Sequence, residues 1–207
     1  MRYLSDYDLD CLEEVYDDIR CLANQHLPHR KKSSFSILHA PPIHKGIPCL
    51  IIGDCPAKDE MYDHEEYYWP KKNQLVTENN IYSLVATSFF IRAGRYNSLV
   101  HAQSSDTSFF REEYGSKRVG RKTLNTLSLE YLFKLIEIFE PKSIVAVGAK
   151  AMRRLGYDDN PSANFGKPFS AYGRPAVGVV HFSTPSQFRQ PGISSSIRGI
   201  QEVVPEV

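Results

Sequence analysis

Two short segments of the 207-residue chain carry side chains suited to acid–base and charge-stabilising chemistry. The first is Gly53-Asp54-Cys55-Pro56-Ala57, which follows the apolar run Cys49-Leu50-Ile51-Ile52. Its glycine permits a tight exit from an element, its proline stiffens the turn, and its carboxylate is presented at the edge. The same residue types also make a plain strand-to-helix turn, and both readings stay open at this point. The second segment begins His181-Phe182-Ser183-Thr184-Pro185-Ser186 and continues Gln187-Phe188-Arg189-Gln190-Pro191-Gly192. A histidine there can simply cap a sheet. A titratable ring followed by small hydroxyl residues and an aromatic is also what an active-site loop facing a nucleic acid would use.

For these segments to act together, buried elements must deliver them to one place. Residues from about Tyr7 to Gln25 read as an amphipathic helix, with Leu9, Leu12, Val15, Ile19 and Leu22 at three- and four-residue steps. A loop punctuated by Pro28, Pro41 and Pro42 follows, and Pro48 to Ile52 reads as a buried strand that stops at Gly53. A second apolar run spans Leu84 to Ile91 and is expected to be the second strand. The segment Leu127 to Phe139 is amphipathic, ends before Pro141, and should bury Leu132, Leu135, Ile136 and Phe139 on one stripe. Ile144 to Val147 forms a third run, after which Gly148 opens a short helix with Ala149, Met152 and Leu155, and Val177 to Val180 forms a fourth run leading into His181. Short apolar strands separated by helices predict an α/β fold, a three-layer sandwich around a central, mostly parallel four-stranded sheet. Loops with function leave the carboxyl ends of such strands.

Composition narrows the setting. With 42% hydrophobic and 24% charged residues, the chain can bury one core, so a single domain over 1–207 is expected. No stretch reaches the ~20 apolar residues of a membrane span. Asp6, Asp8 and Asp10 break the basic-then-apolar order of a signal peptide, so a soluble, cytoplasmic monomer is expected. Cys11, Cys21, Cys49 and Cys55 form no CxxC pair, which predicts reduced thiols and no zinc ribbon. His64 lies between Asp63 and Glu65 but reads as a solvated loop, so no metal is expected, and the absence of GxGxxG and GxxxxGK[ST] argues against a nucleotide cofactor. Net charge is only +1, so any nucleic-acid contact must come from local patches: His29-Arg30-Lys31-Lys32, Lys117-Arg118 with Arg121-Lys122, and Arg189 with Arg198.

Taken together, Gly53-Asp54-Cys55-Pro56 after one strand and His181-Phe182-Ser183 after the last resemble the Gly-x-x-Pro and His-x-Ser motifs of the uracil-DNA glycosylase superfamily. Tyr67-Tyr68-Trp69-Pro70-Lys71-Lys72-Asn73-Gln74 looks like a segment of its mismatch- and hypoxanthine-directed members, and Pro141 to Ala151 looks like the Pro-Lys, strand, Gly-x-x-Ala segment of its uracil-directed branches. The resemblance covers about Pro48 to Arg198.

It implies excision of a base from DNA, with Asp54 stabilising the cationic sugar or orienting water and His181 donating to the base oxygen. It also implies a base pocket from Cys55, Tyr68, Ser88 and Phe89, and DNA contacts from Ser183, Ser186, Gln187, Phe188, Arg189, Lys117 and Arg118. Asp54 stands where several branches carry glutamate, and Cys55 where others place Asp or Asn. Thr87-Ser88 is the best match to the asparagine of the second strand, so strict uracil recognition does not follow. Uracil, a deaminated purine or a modified pyrimidine all remain open as the excised base. The cysteines do not match the iron–sulfur branch, so no cluster is expected. Lys58 lies on the turn after the first motif, which argues against a strand-cleaving lyase. The competing reading is a non-catalytic nucleic-acid or nucleotide binding module with the same fold.

If Lys117 to Lys122 and Arg189 meet phosphates, affinity for an oligonucleotide must fall as salt rises. Filter binding from low to physiological ionic strength checks this, and an affinity indifferent to salt would remove nucleic acid as the ligand.

Overall fold

The computed structural model describes residues 1–26, 34–35, 37–38, 44–55, 62–63, 88–110, 119–181 and 186–207. Two small antiparallel ladders pair β1 (Arg2–Tyr3) with β3 (His44–Lys45) and β2 (Ser34–Phe35) with β5 (Tyr62–Asp63). The central sheet contains β4 (Leu50–Gly53), β6 (Gln103–Asp106), β7 (Ile144–Val147), β8 (Pro168–Ala171) and β9 (Arg174–Val179), in the spatial order β6-β4-β7-β9-β8. The first four of that order run parallel, and β8 closes one edge as an antiparallel partner of β9.

Alternation along the strands divides the core into two layers. Leu50, Ile52, Ile144, Ala146 and Ala176 face Leu12, Val15 and Ile19 of α1 (Asp6–His26) and Leu132, Leu135, Ile136 and Phe139 of the long helix Val119–Phe139. The intervening residues Cys49, Ile51, Val145, Val147, Val177 and Val179 face the other way. There they meet Phe89 and Phe90, Leu99 of α2 (Tyr96–Val100), and Ile200 and Val204 at the carboxyl end of the chain. We number the long helix α3, the short helix Ala149–Arg154 α4, and the helix Ser186–Val203 α5. Helices on both faces of a mostly parallel sheet satisfy the apolar surface of both layers, and each fully buried Leu or Ile contributes about 1.5–3 kcal/mol.

The amino end of α1 is closed by a reciprocal cap. Ser5 Oγ accepts from the Asp8 amide at 3.2 Å, while the Asp8 carboxylate accepts from the Ser5 amide at 3.0 Å and from its hydroxyl at 2.7 Å. The second carboxylate oxygen of Asp8 takes a 2.9 Å hydrogen bond from Lys45 of β3, whose ammonium is also 3.4 Å from Glu140. One buried ion pair therefore joins the first helix, a small ladder and the end of α3.

Four expectations are corrected. The run from Leu84 was expected to be a strand, but its described part is helical over 88–92, and residues 84–87 lie outside the described residues. A short apolar run fits a buried helix as well as a buried strand, and here the turn buries Phe89 and Phe90 while Ser88 and Ile91 are exposed. The second parallel strand is instead the polar Gln103-Ser104-Ser105-Asp106, buried throughout and tied down where Ser105 Oγ donates to the Ile37 carbonyl at 2.6 Å. Finally, Ser186, Gln187, Phe188 and Arg189 belong to α5 and not to a loop; Ser183 lies outside the described residues. The sheet also has a fifth strand, β8, beyond the four expected. Among the described residues no helix is long and apolar enough to cross a membrane.

Hydrogen bonds from Lys45 and Ser5 hold the Asp8 carboxyl far below the usual carboxylate range. A depressed folded-state value means that this contribution to stability is complete above about pH 4 and is lost as pH falls toward the folded value. Asp8→Asn should therefore destabilise the protein by about 1.5–3 kcal/mol at neutral pH. In denaturant unfolding the gap to the natural chain should narrow below about pH 4, and a gap independent of pH would refute the assignment.

Candidate active site

From β4 the chain crosses to β6 on one side, and from β7 it crosses to β9 on the other. The carboxyl ends of β4 and β7 therefore flank a topological switch point, where an open α/β sheet leaves a crevice. Four segments reach this rim: Gly53-Asp54 at the end of β4, Asp106-Thr107 at the end of β6, Gly148 after β7, and His181 after β9.

Asp54 is held by its backbone as well as its side chain. The β4–β6 pairing continues past the strands, with the Thr107 amide donating to the Gly53 carbonyl at 3.0 Å and the Ser108 amide donating to the Asp54 carbonyl at 3.1 Å. Thr107 Oγ1 donates to that same carbonyl at 3.0 Å, and Arg154 Nη1 reaches it at 3.2 Å. The carboxylate, 17% exposed, lies 2.9 Å from Arg154 Nη1 through Oδ1 and 3.4 Å from Lys150 Nζ through Oδ2. The contact to Oδ1 is an ion pair whose geometry is not that of an aligned hydrogen bond, so that buried oxygen keeps unused acceptor capacity among the described residues. Lys150 and Arg154 stand four residues apart on α4, the spacing that puts them on one face.

His181 is positioned from two sides. The Val180 amide donates to Ser196 Oγ at 3.0 Å, and that hydroxyl donates to the Gly192 carbonyl at 2.6 Å, which pins the exit of β9 to α5. On the other side, a Cβ added to Gly148 would lie 3.2 Å from His181 Cβ and 3.3 Å from Cδ2. Gly148 has φ +88°, a backbone conformation that side-chain-bearing residues rarely adopt, so glycine both forms the turn and lets the imidazole close over it.

Burial is the dominant influence on His181 and pushes its pKa down, against the opposing pull of the negative charges of Asp54 and Asp106; Lys150 adds a smaller downward push. The ring is consequently neutral at neutral pH, with one N–H donor and one acceptor nitrogen. Asp54, Asp106 and His181 lie at the carboxyl-end rim of the sheet, and Lys150 reaches Asp54 there. A carboxylate fixed by two cations beside a neutral imidazole can stabilise separated charge during heterolytic bond cleavage.

Of the residues expected at the site, Asp54 and His181 both reach the carboxyl-end rim of the sheet, and half-buried Cys55 follows Asp54 directly. Phe89 is not available to a ligand, because it is packed in the core with Ile51 and Val145, and Ser88 is exposed on the same helical turn. Tyr68, Ser183, Lys117 and Arg118 lie outside the described residues. Asp106, Thr107, Lys150 and Arg154 were not anticipated from sequence as site residues. The i,i+4 basic pair after Gly148 was a usable signal for the last two, whereas the polar run 103–108 offered no periodicity. No protein-family model and no curated protein matches the chain.

Replacing Asp54 by Asn removes one charge that raises the His181 pKa, so the ring's titration midpoint, already below its ordinary 6.5, should move lower still. Proton NMR of the imidazole across pH 4–8, a window chosen to bracket the ordinary histidine value of about 6.5, reads this out. An unchanged or raised midpoint would mean that the charge of Asp54 does not act on the imidazole.

Proposed function

We propose that this chain is a monofunctional DNA glycosylase of the uracil-DNA glycosylase kind, acting as a monomer on a damaged or modified base extruded from DNA. The arrival of Asp54 and His181 at the same rim of a mostly parallel sheet carries the proposal, since the two motifs that suggested it lie far apart in the sequence.

The chemistry follows from the charges. As the bond between C1′ and the base nitrogen lengthens, positive charge builds on the sugar and negative charge on the base. Asp54 stabilises the first and orients the attacking water, whose oxygen bonds to C1′ and whose proton leaves to the carboxylate or solvent. The neutral imidazole of His181 hydrogen-bonds to the base as its negative charge grows, and one such donor is worth about 3–4 kcal/mol in the transition state. The products are an abasic site and the free base. Lys150, 66% exposed, can leave Asp54 for a DNA phosphate, which would strengthen the negative field at the sugar. Lys117, Arg118 and Arg189 extend the phosphate contacts in this reading.

A second reading has one observation in its favour: Lys150 and Arg154 offset the charge of Asp54, as in a binding module without catalysis. Oligonucleotides bearing uracil, hypoxanthine, xanthine and modified cytosines, incubated with the protein and then treated with alkali, separate the two. Cleavage by the natural chain that falls about 10²–10³-fold with Asp54→Asn or with His181→Ala supports the enzyme. Binding of every substrate without product supports the module.

A further inference from the structure

We propose that Arg154, held in turn by Thr107, is the positioning residue of this site: it fixes the Asp54 carboxylate so that one oxygen, Oδ2, is left to act on the sugar or the water. The inference rests on the base-excision reading above and adds to it the residue that orients its carboxylate.

A carboxylate on a turn at the end of a strand can drift in two ways, by movement of its backbone and by rotation of its side chain. Arg154 opposes both through a single nitrogen. Its Nη1 donates to the Asp54 carbonyl at 3.2 Å and to Thr107 Oγ1 at 3.2 Å, and it lies 2.9 Å from Asp54 Oδ1. Thr107 Oγ1 itself donates to the Asp54 carbonyl at 3.0 Å, so the three groups close on one another. Thr107 is fully buried, which makes its hydroxyl a fixed anchor for the guanidinium. The two protons of Nη1 go to the two neutral oxygens, and the carboxylate receives the charge of the same group.

The two carboxylate oxygens are thereby made unequal. Oδ1 is buried against Arg154 and out of reach of a water or a sugar, which leaves Oδ2 for the chemistry. The neighbour of Oδ2 is Lys150, at 3.4 Å and largely exposed, whereas Arg154 is only 21% exposed. The division of labour suits the two side chains, since a planar guanidinium spreads its donors over several acceptors in a fixed fork and an ammonium is a mobile point charge. Misplacing a reacting group by about 1 Å costs on the order of 10²-fold in rate. Loss of Arg154 should therefore slow the chemical step without weakening the hold on DNA.

Single-turnover excision by the full chain tests this, on oligonucleotides bearing uracil, hypoxanthine, xanthine or a modified cytosine. With the base that the natural chain releases, Arg154→Ala should slow excision roughly 10- to 100-fold and leave the affinity for the same oligonucleotide unchanged. Added ethylguanidinium, which supplies the atoms the substitution removes, should restore part of that rate, and ethylammonium at the same concentration should not. A residue that only supports folding responds to neither. An undiminished rate, a loss confined to affinity, or an equal response to the two cations overturns the role of Arg154 and leaves glycosylase activity standing. If the natural chain releases no base from any of the oligonucleotides, the glycosylase reading falls, and Arg154 is judged by carbodiimide amidation of the carboxyl groups, read by mass spectrometry. Faster amidation of Asp54 in Arg154→Ala, with the buried Asp8 unchanged, retains its hold on Asp54. Equal rates at Asp54, or a rise shared by Asp8, overturn it.

Discussion

Between β6 and β7, the strand β4 has its backbone hydrogen-bonded on both sides, and that pairing dictates where the groups of the site lie. Leu50 aligns with Gln103 on one side and with Ile144 on the other, so the three strands end level with one another. Parallel pairing sends all three chain exits to the same rim. Because Gly53 is opposite Asp106, the two carboxylates of Asp54 and Asp106 arrive within one residue of each other along neighbouring strands. A shift of register by a single residue would turn every side chain of β4 to the other face, exchanging Ile51 with Ile52 between the two apolar layers. The packing of those layers is thus what keeps the carboxylates in place.

Electrostatics at the rim follow from unequal burial. His181 is half-buried and loses hydration, which favours the neutral ring despite two negative neighbours. Asp54 lies beside two cations, one of them largely exposed and the other held by Thr107 Oγ1 at 3.2 Å. A neutral imidazole and a cation-paired carboxylate therefore share one rim. Neither depends on the protein's net charge, which is close to zero. The fixed geometry comes from the backbone, through Thr107, Ser108 and Gly148, and the adjustable part is the exposed ammonium of Lys150.

Much of the scaffold was legible from periodicity. The helix read over Tyr7–Gln25 is α1, the stripe Leu132, Leu135, Ile136 and Phe139 is fully buried, and the strand Ile144–Val147 has the expected bounds. These segments are apolar, repetitive and long enough for burial to determine their structure. The second strand was not legible, because Gln103-Ser104-Ser105-Asp106 has neither alternation nor β-branched residues and owes its conformation to pairing with β4. The apolar run before it was misread for a related reason: Phe89 and Phe90 announce burial without saying in which element.

Local sequence by itself determined that an aspartate would leave one buried strand through a glycine turn and that a histidine would leave another, since strand burial and turn chemistry are properties of a few adjacent residues. Only the tertiary structure decided that these two residues reach the same rim of the sheet, that Arg154 and Lys150 close on the aspartate, and that Asp106 ends the strand beside it. Those relations depend on strand order and register, which are set by long-range pairing and by the packing of two apolar layers, and no short window of residues encodes them.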